Sequence, residues 1–199
     1  MIGKRRVSVY RARSSLVRPA RLGKVHIQRG FTLIECTVVV VIAGTLLMLA
    51  MPSFQNLLQR HRVVTASNAL LMAVNLTRSE AIQRGRRVDL MPAGAGDAWH
   101  QGWVVFVDEN GNRRPDEQDT VIHRQDALHA SVRITPRFTD SKVQYLAFDG
   151  SGRTRTHASS QTPQSGNWLL EAGTQSRKII IGFLGRPRVC NPETDGSSC

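Results

Sequence analysis

The 199-residue chain is 41% apolar and 21% charged, a globular composition that excludes a collagen-like chain, a cysteine-rich scaffold and a polytopic membrane protein. Its 27 lysines and arginines against 15 acidic residues give a net charge of +12, which points toward nucleic acid, anionic lipid or an acidic partner. The position of that charge along the chain decides what it means.

Residues 1–30 hold nine basic residues, from Lys4 to Arg29, and no acid. Residues 31–199 carry only +3. The segment 31–51 reads FTLIECTVVVVIAGTLLMLAM and contains one charge, Glu35. As a helix rising 1.5 Å per residue, 21 residues cross the roughly 30 Å core of a bilayer. The segment is apolar all round rather than striped, as a membrane span is. It is too long for a cleavable secretory signal, and the small residue Gly30 precedes it instead of following it. The basic flank predicts a cytoplasmic N-terminus with the remainder beyond the inner membrane.

A glutamate four residues into a span is costly and calls for a partner. A cut after Gly30 would create a new α-amino group on Phe31. On a neighbouring subunit that cation can pair with Glu35 in a low-dielectric bundle and set the axial register.

Past the span, Pro52 is placed to kink the helix or open its second half. The helical pattern continues over 53–84. Val63, Ala66, Leu70, Ala73, Val74, Thr77 and Ala81 fall within an arc of about 100°, with Asn68, Ser79 and Gln83 opposite. The small residues on this arc predict close packing on a sheet, and Gly85 is a candidate C-cap. Beyond it the period changes to two. Candidate strands are 87–91, 102–107, 120–124, 131–134, 143–148, 167–171 and 178–183, separated by turn-rich stretches. The expected fold is α+β, a long N-terminal helix packed on a small antiparallel β-sheet or β-sandwich domain. The expected organisation is a basic leader at 1–30, a transmembrane half-helix at 31–51, an amphipathic half at 52–86, a β domain at 87–189 and a tail at 190–199.

Asp108, Asn110, Asn112 and Asp119 stand at positions 1, 3, 5 and 12 of an EF-hand-like spacing. Position 6 is Arg113 rather than glycine, and Asn-Gly also favours a polar hairpin turn. Calcium is thus one candidate, and a polar turn the other. The six histidines show no metal spacing. No nucleophile–base pair or phosphate loop emerges, so neither enzymatic activity nor a cofactor is expected.

The junction Gly30-Phe31-Thr32-Leu33-Ile34-Glu35, with its basic leader and apolar run, resembles the type IV prepilin signature. That resemblance implies cleavage after Gly30 by a prepilin peptidase, N-methylation of Phe31, and assembly with other pilins or pseudopilins through Glu35. Several later stretches look like the GspH/FimT family of minor pilins and pseudopilins: Ala50-Met51-Pro52-Ser53-Phe54, Arg78-Ser79-Glu80-Ala81-Ile82, and Trp103-Val104-Val105-Phe106-Val107-Asp108. The likeness runs from Phe31 to about Leu184. The 30-residue leader is long for this class.

Cys190 and Cys199 would then face an oxidising periplasm, where a bridge between them would hold the tail. Cys36 lies in the span as a small apolar filler. Gly185-Arg186-Pro187-Arg188 resembles the Gly-Arg-x-Arg tail motif of FimT-type minor pilins that bind DNA in natural transformation. Run extended, the chain would aim Arg186 and Arg188 to one side, where two guanidinium forks suit the phosphates of double-stranded DNA. Arg153, Arg155, Arg177 and Lys178 are candidate extensions. The implied protein is a FimT-like minor pilin of the inner membrane and pilus; the alternative is a GspH-type pseudopilin of type II secretion.

A direct check of the cut site is Gly30→Ala, which is expected to leave the precursor uncut. Intact-mass measurement of the membrane fraction then shows only the precursor, and a mature-sized product would refute the assignment.

Overall fold

The computed structural model describes residues 30–140, 142–143, 145–196 and 199, so the basic leader before Gly30 lies outside the described residues. One helix, α1, runs over Leu33–Arg84 and continues through Pro52. A reciprocal capping box starts it. The Glu35 N–H donates to Thr32 Oγ1 at 3.2 Å, and the Thr32 N–H donates to Glu35 Oε2 at 3.4 Å. Its end falls at Gly85, whose φ of +63° turns the chain out of the helix while its N–H donates to the Ile82 carbonyl. The N-terminal part is long and apolar enough to cross a membrane, and none of that stretch is buried within the protein.

Further along, α1 buries one face: Val63, Ala66, Ser67, Leu70, Ala73, Val74, Thr77 and Ala81. Every residue of the predicted arc is among them, and Asn68, Ser79 and Gln83 are exposed. Alanine or serine at four of these positions keeps this face thin, which lets the sheets approach the helix backbone.

Two antiparallel sheets cover that face. The first has the order β3-β2-β1-β5-β6. Its strands are β1 (Val88–Pro92), β2 (Trp103–Val107), β3 (Thr120–Gln125), β5 (Leu146–Phe148) and β6 (Thr154–Arg155). The second has the order β4-β7-β8-β9, from β4 (Arg133–Phe138), β7 (Gly166–Ala172), β8 (Gln175–Ile181) and β9 (Pro187–Cys190). Both sheets send alternate residues into a single core with the helix face: Val88, Leu90, Val105 and Phe148 from the first, Ile134, Trp168, Leu170 and Ile179 from the second. Trp168 is the hub of its aromatic part. It meets Trp99 of a short 3-10 helix edge-on at 5.3 Å between centroids, and Phe138 at 4.8 Å.

The α+β architecture matches the sequence expectation, with corrections in the strands. The segment 143–148 shortens to β5, because Val143 lies before the ladder and is part-exposed. The segment 178–183 moves to β8, which starts earlier on the β7 side, because β7 and β8 form a tight hairpin around Gly173. The strand expected at 131–134 shifts to β4, which continues through Pro136; proline is tolerated there because β4 is an edge strand. Strands β6 and β9 have no counterpart among the expected strands.

The outer face of the first sheet buries a charge. Asp89, fully buried, accepts a hydrogen bond from Arg87 Nε at 2.7 Å. Arg87 also donates to the Thr156 carbonyl at 3.1 Å and lies 5.8 Å from the Tyr145 ring centroid. Burial pushes the Asp89 carboxyl above its ordinary value, and the Arg87 charge opposes that only in part. Removing Arg87 would strand the carboxylate. Arg87→Ala is therefore expected to lower stability by about 3–5 kcal/mol at pH 7. A raised folded-state pKa means stability that is present below the unfolded value and lost as pH rises through the folded one. The defect should shrink toward pH 4 in chemical denaturation, and a joint Arg87→Met, Asp89→Leu replacement should recover most of it.

Candidate functional site

The second sheet has one face in the core and one outside. Residues directly opposite in a ladder share a face. Ile179 and Ile181 are buried in the core, so Lys178 and Ile180 of β8 point outward. Opposite them in β9 stand Cys190 and Arg188. On the other edge, Ile134, Pro136 and Phe138 face inward, so Arg133, Thr135 and Arg137 face outward. One register row thus crosses all four strands as Arg137, Asn167, Ile180 and Arg188. The outer face carries the cations Arg133, Arg137, Lys178 and Arg188 against one acid, Glu171.

Strand β9, which no expected strand covered, makes Pro187 and Arg188 part of the edge of this sheet. Pro187 opens the strand, where its missing N–H does least harm. Arg188 lies within β9 and Arg186 one residue before it, both exposed. Gly185 has a structural reason to be glycine. Its φ is +75°, and a Cβ there would overlap the Gly152 carbonyl and come within 2.8 Å of the Phe148 ring. Its N–H donates to the Gly182 carbonyl at 2.9 Å, closing the loop between β8 and β9.

The loop's support is a second turn. Asp149 Oδ1 accepts from the Ser151 N–H and hydroxyl and from the Arg153 N–H, and Asp149 also pairs with Arg155. Arg155 is therefore committed to Asp149, whereas Arg153 is exposed beside the β8–β9 loop. Arg177 lies opposite the buried Leu170 and so belongs to the inner side of the sheet, away from Arg188. Of the candidate extensions, Lys178 shares the outer face with Arg188.

Past β9 the chain is tied back. Cys190 and Cys199 are bonded, and Lys178 Nζ donates to the Cys199 carbonyl at 2.9 Å. Within this closed loop Asp195 accepts from the Asn191 N–H at 2.7 Å.

The acidic β2–β3 loop turns its oxygens toward its own backbone. Asp108 accepts from the N–H groups of Gly111 and Arg113, and Asp119 from those of Glu109 and Asp116. Asn110 and Asn112 donate their amide N–H groups to Asp116. Among the described residues no group of three or more His, Cys, Asp or Glu side chains is placed to hold a metal ion. These hydrogen bonds close the loop as a polar turn.

At the N-terminal junction, Gly30, Phe31 and Glu35 are all exposed. The capping role of Glu35 goes beyond the sequence expectation. Its signal is nonetheless in the sequence, a threonine followed three residues later by glutamate before an apolar run.

A family model described as Type II transport protein GspH matches residues 66–185, and one described as Prokaryotic N-terminal methylation motif matches residues 26–51. The chain is 34% identical over 168 residues to the pilin-like protein PilA1 of Thermus thermophilus, an alignment covering 81% of this chain and 98% of that protein. The fold resembles the type IV minor pilin FimU of Pseudomonas aeruginosa PAO1, with a TM-score of 0.53 at 18% identity over 68% of this chain and 92% of that one. A second crystal form of FimU gives 0.50 at 16% identity, covering 65% and 94%.

The protein has the α+β pilin-like fold and belongs to the GspH/FimT family of minor pilins and pseudopilins. It is a minor pilin or pseudopilin, a subunit of a type IV pilus or of a type II secretion system, and its methylation motif implies prepilin peptidase processing and assembly with other pilins.

The Asp149 turn gives a test of how firmly the β8–β9 loop is held. Burial alone would raise the Asp149 pKa, but hydrogen bonds from Ser151 and Arg153 and the Arg155 charge outweigh it and hold the carboxyl below its ordinary value. The stabilisation is complete above the unfolded value of about 3.9 and lost as pH falls through the lower folded one. Asp149→Asn should cost about 1–2 kcal/mol at pH 7. In denaturant titrations the unaltered protein should lose that increment below about pH 4, and the variant should not.

Proposed function

We propose that this chain is a FimT-like minor pilin of a type IV pilus that holds double-stranded DNA on the outer face of its four-stranded sheet. Prepilin peptidase cuts after Gly30 and Phe31 is N-methylated. Glu35, besides capping α1, meets the new α-amino group of a neighbouring subunit. The basic leader keeps the N-terminus cytoplasmic and the β domain periplasmic.

One observation carries the DNA reading: Arg188 stands at the end of a register row whose other end is Arg137, with Lys178 on the same face and a single acid among them. With strands about 4.8 Å apart, the two arginines are anchored roughly 14 Å from each other. Long guanidinium side chains so spaced can reach phosphates without reading bases. The mature net charge of +3 is too small for attraction by bulk charge, so the local placement must supply the affinity.

The test is fluorescence anisotropy of the mature full chain in neutral detergent with a labelled duplex, across about 50–200 mM salt. Affinity should fall steeply with salt, and Arg186→Ala and Arg188→Ala should each weaken binding and lower the log–log slope by about 1. Absence of binding at low salt, or indifference to both substitutions, overturns the DNA reading.

The second reading is a GspH-type pseudopilin of type II secretion, favoured by the family match over residues 66–185. Deletion of the chain would then abolish protein secretion and leave DNA uptake intact.

A further inference from the structure

The five residues between β8 and β9, 182–186, combine a fixed backbone with exposed apolar side chains. Three hydrogen bonds hold the backbone. The Phe183 carbonyl accepts from the Thr154 N–H and from Thr154 Oγ1, each at 3.2 Å, and the Gly185 N–H donates to the Gly182 carbonyl. Gly185 itself is wedged against Gly152 and Phe148. Yet Phe183 is 57% exposed and Leu184 53%. A loop this well anchored has no need to leave its two largest side chains in water. Both stand immediately before Arg186 and Arg188. Arg153 adjoins them, because the next residue, Thr154, makes the hydrogen bonds to Phe183. Among the described residues none of these three arginines has a carboxylate partner, whereas Arg84, Arg86, Arg87 and Arg155 each do.

An exposed apolar pair with arginines that lack carboxylate partners close by in the chain has two natural occupants. A protein interface centres on a larger apolar area with its charges at the rim. Here the exposed apolar side chains of the loop and its surroundings, Phe183, Leu184, Val189 and Ile82, make a small patch with cations close by in the chain. A nucleic acid presents the complementary arrangement: flat apolar base faces, each flanked by backbone phosphate. Proteins that hold strands without reading sequence combine basic side chains with aromatic rings on which bases stack. A fixed loop also holds the ring in place before binding, so little ordering entropy remains to be lost.

We infer that Phe183, backed by Leu184, is a base-stacking platform, and that the β8–β9 loop takes an exposed nucleobase while Arg186 and Arg188 hold the adjoining phosphates. The inference rests on the nucleic-acid reading above and deepens it: phosphate contact alone is indifferent to the bases, whereas this loop is not. The base can come from a single strand or from an unstacked step in a duplex, and the two sources are separable.

The experiment uses the mature full chain in neutral detergent with three labelled ligands of equal length: single-stranded oligothymidylate, the same strand with abasic sites throughout, and a mixed-sequence duplex. The unaltered protein should bind the normal strand about tenfold more tightly than the abasic one. Phe183→Ala should erase that difference by weakening only the normal strand, and Phe183→Trp should retain it and show fluorescence quenching on binding. Arg186→Ala should weaken binding to the normal and abasic strands together. A loss on the duplex with Phe183→Ala identifies an inserted step as a source; an unchanged duplex affinity confines the base to single strands.

The failures differ in kind. Equal affinity of the unaltered protein for normal and abasic strands, or a Phe183→Ala variant that still distinguishes them, overturns the platform and leaves phosphate binding standing. No binding to any of the three overturns both. A Phe183→Ala variant that binds DNA normally but no longer co-purifies with the other pilins assigns the patch to a subunit contact and overturns the platform.

Discussion

The structure depends on one constraint: a single face of α1, from Val63 to Ala81, must be covered by two sheets at once. A helix stripe of about 100° is broad enough for one sheet; serving two requires close approach. Ala66, Ser67, Ala73 and Ala81 permit it by presenting little side chain, and Leu70 and Val74 are fully buried in the same core. Each sheet then has only one face committed to the core. The first covers its other face with Tyr145, Arg87 and the segment around Thr156. The second leaves its other face part-open, and that is where the cations stand.

The two outer faces are thus treated in opposite ways by the same chain. On the first sheet, charge is taken inside and neutralised at short range, Asp89 against Arg87, with Tyr145 alongside. Such a pair adds little net stability but makes a wrong arrangement costly. On the second sheet, arginines at both edges keep their charge in water. A functional surface in a small domain is easier to find by where charge is left unpaired than by how much there is: the chain's +12 lies mostly in residues 1–30.

How much was legible before the structure varied with the physics of each element. The arc on α1 was readable residue by residue, because Val63 to Ala81 spans about five helical turns and burial follows their period. The central strand β2 was readable from its continuous run of β-branched and aromatic residues, Trp-Val-Val-Phe-Val. Strand β9 was not: the short sequence Pro-Arg-Val-Cys carries no alternation, and only pairing with β8 makes it a strand. Strand β6, two residues long, exists for the same reason. At the site, Arg186 and Arg188 were identified from their motif, but Arg137 as the far end of the row requires the register of β4 on β7, which no local pattern encodes. Gly185 was identified as part of that motif; that it seats the loop against Gly152 and Phe148 is long-range information.

Strand β9 is held at both ends. Before it stands the Gly185 turn, lodged on the first sheet; after it comes the Cys190–Cys199 bond, whose loop is fastened to β8 by Lys178. A filament subunit is a mechanical part, and an edge strand is the element most easily peeled. Tension applied through the side chains of β9 cannot start a tear at either end, where the ladder would otherwise open one hydrogen bond at a time. It must load all four register pairs with β8 together, so the weakest strand of the sheet becomes one that transmits force without unzipping.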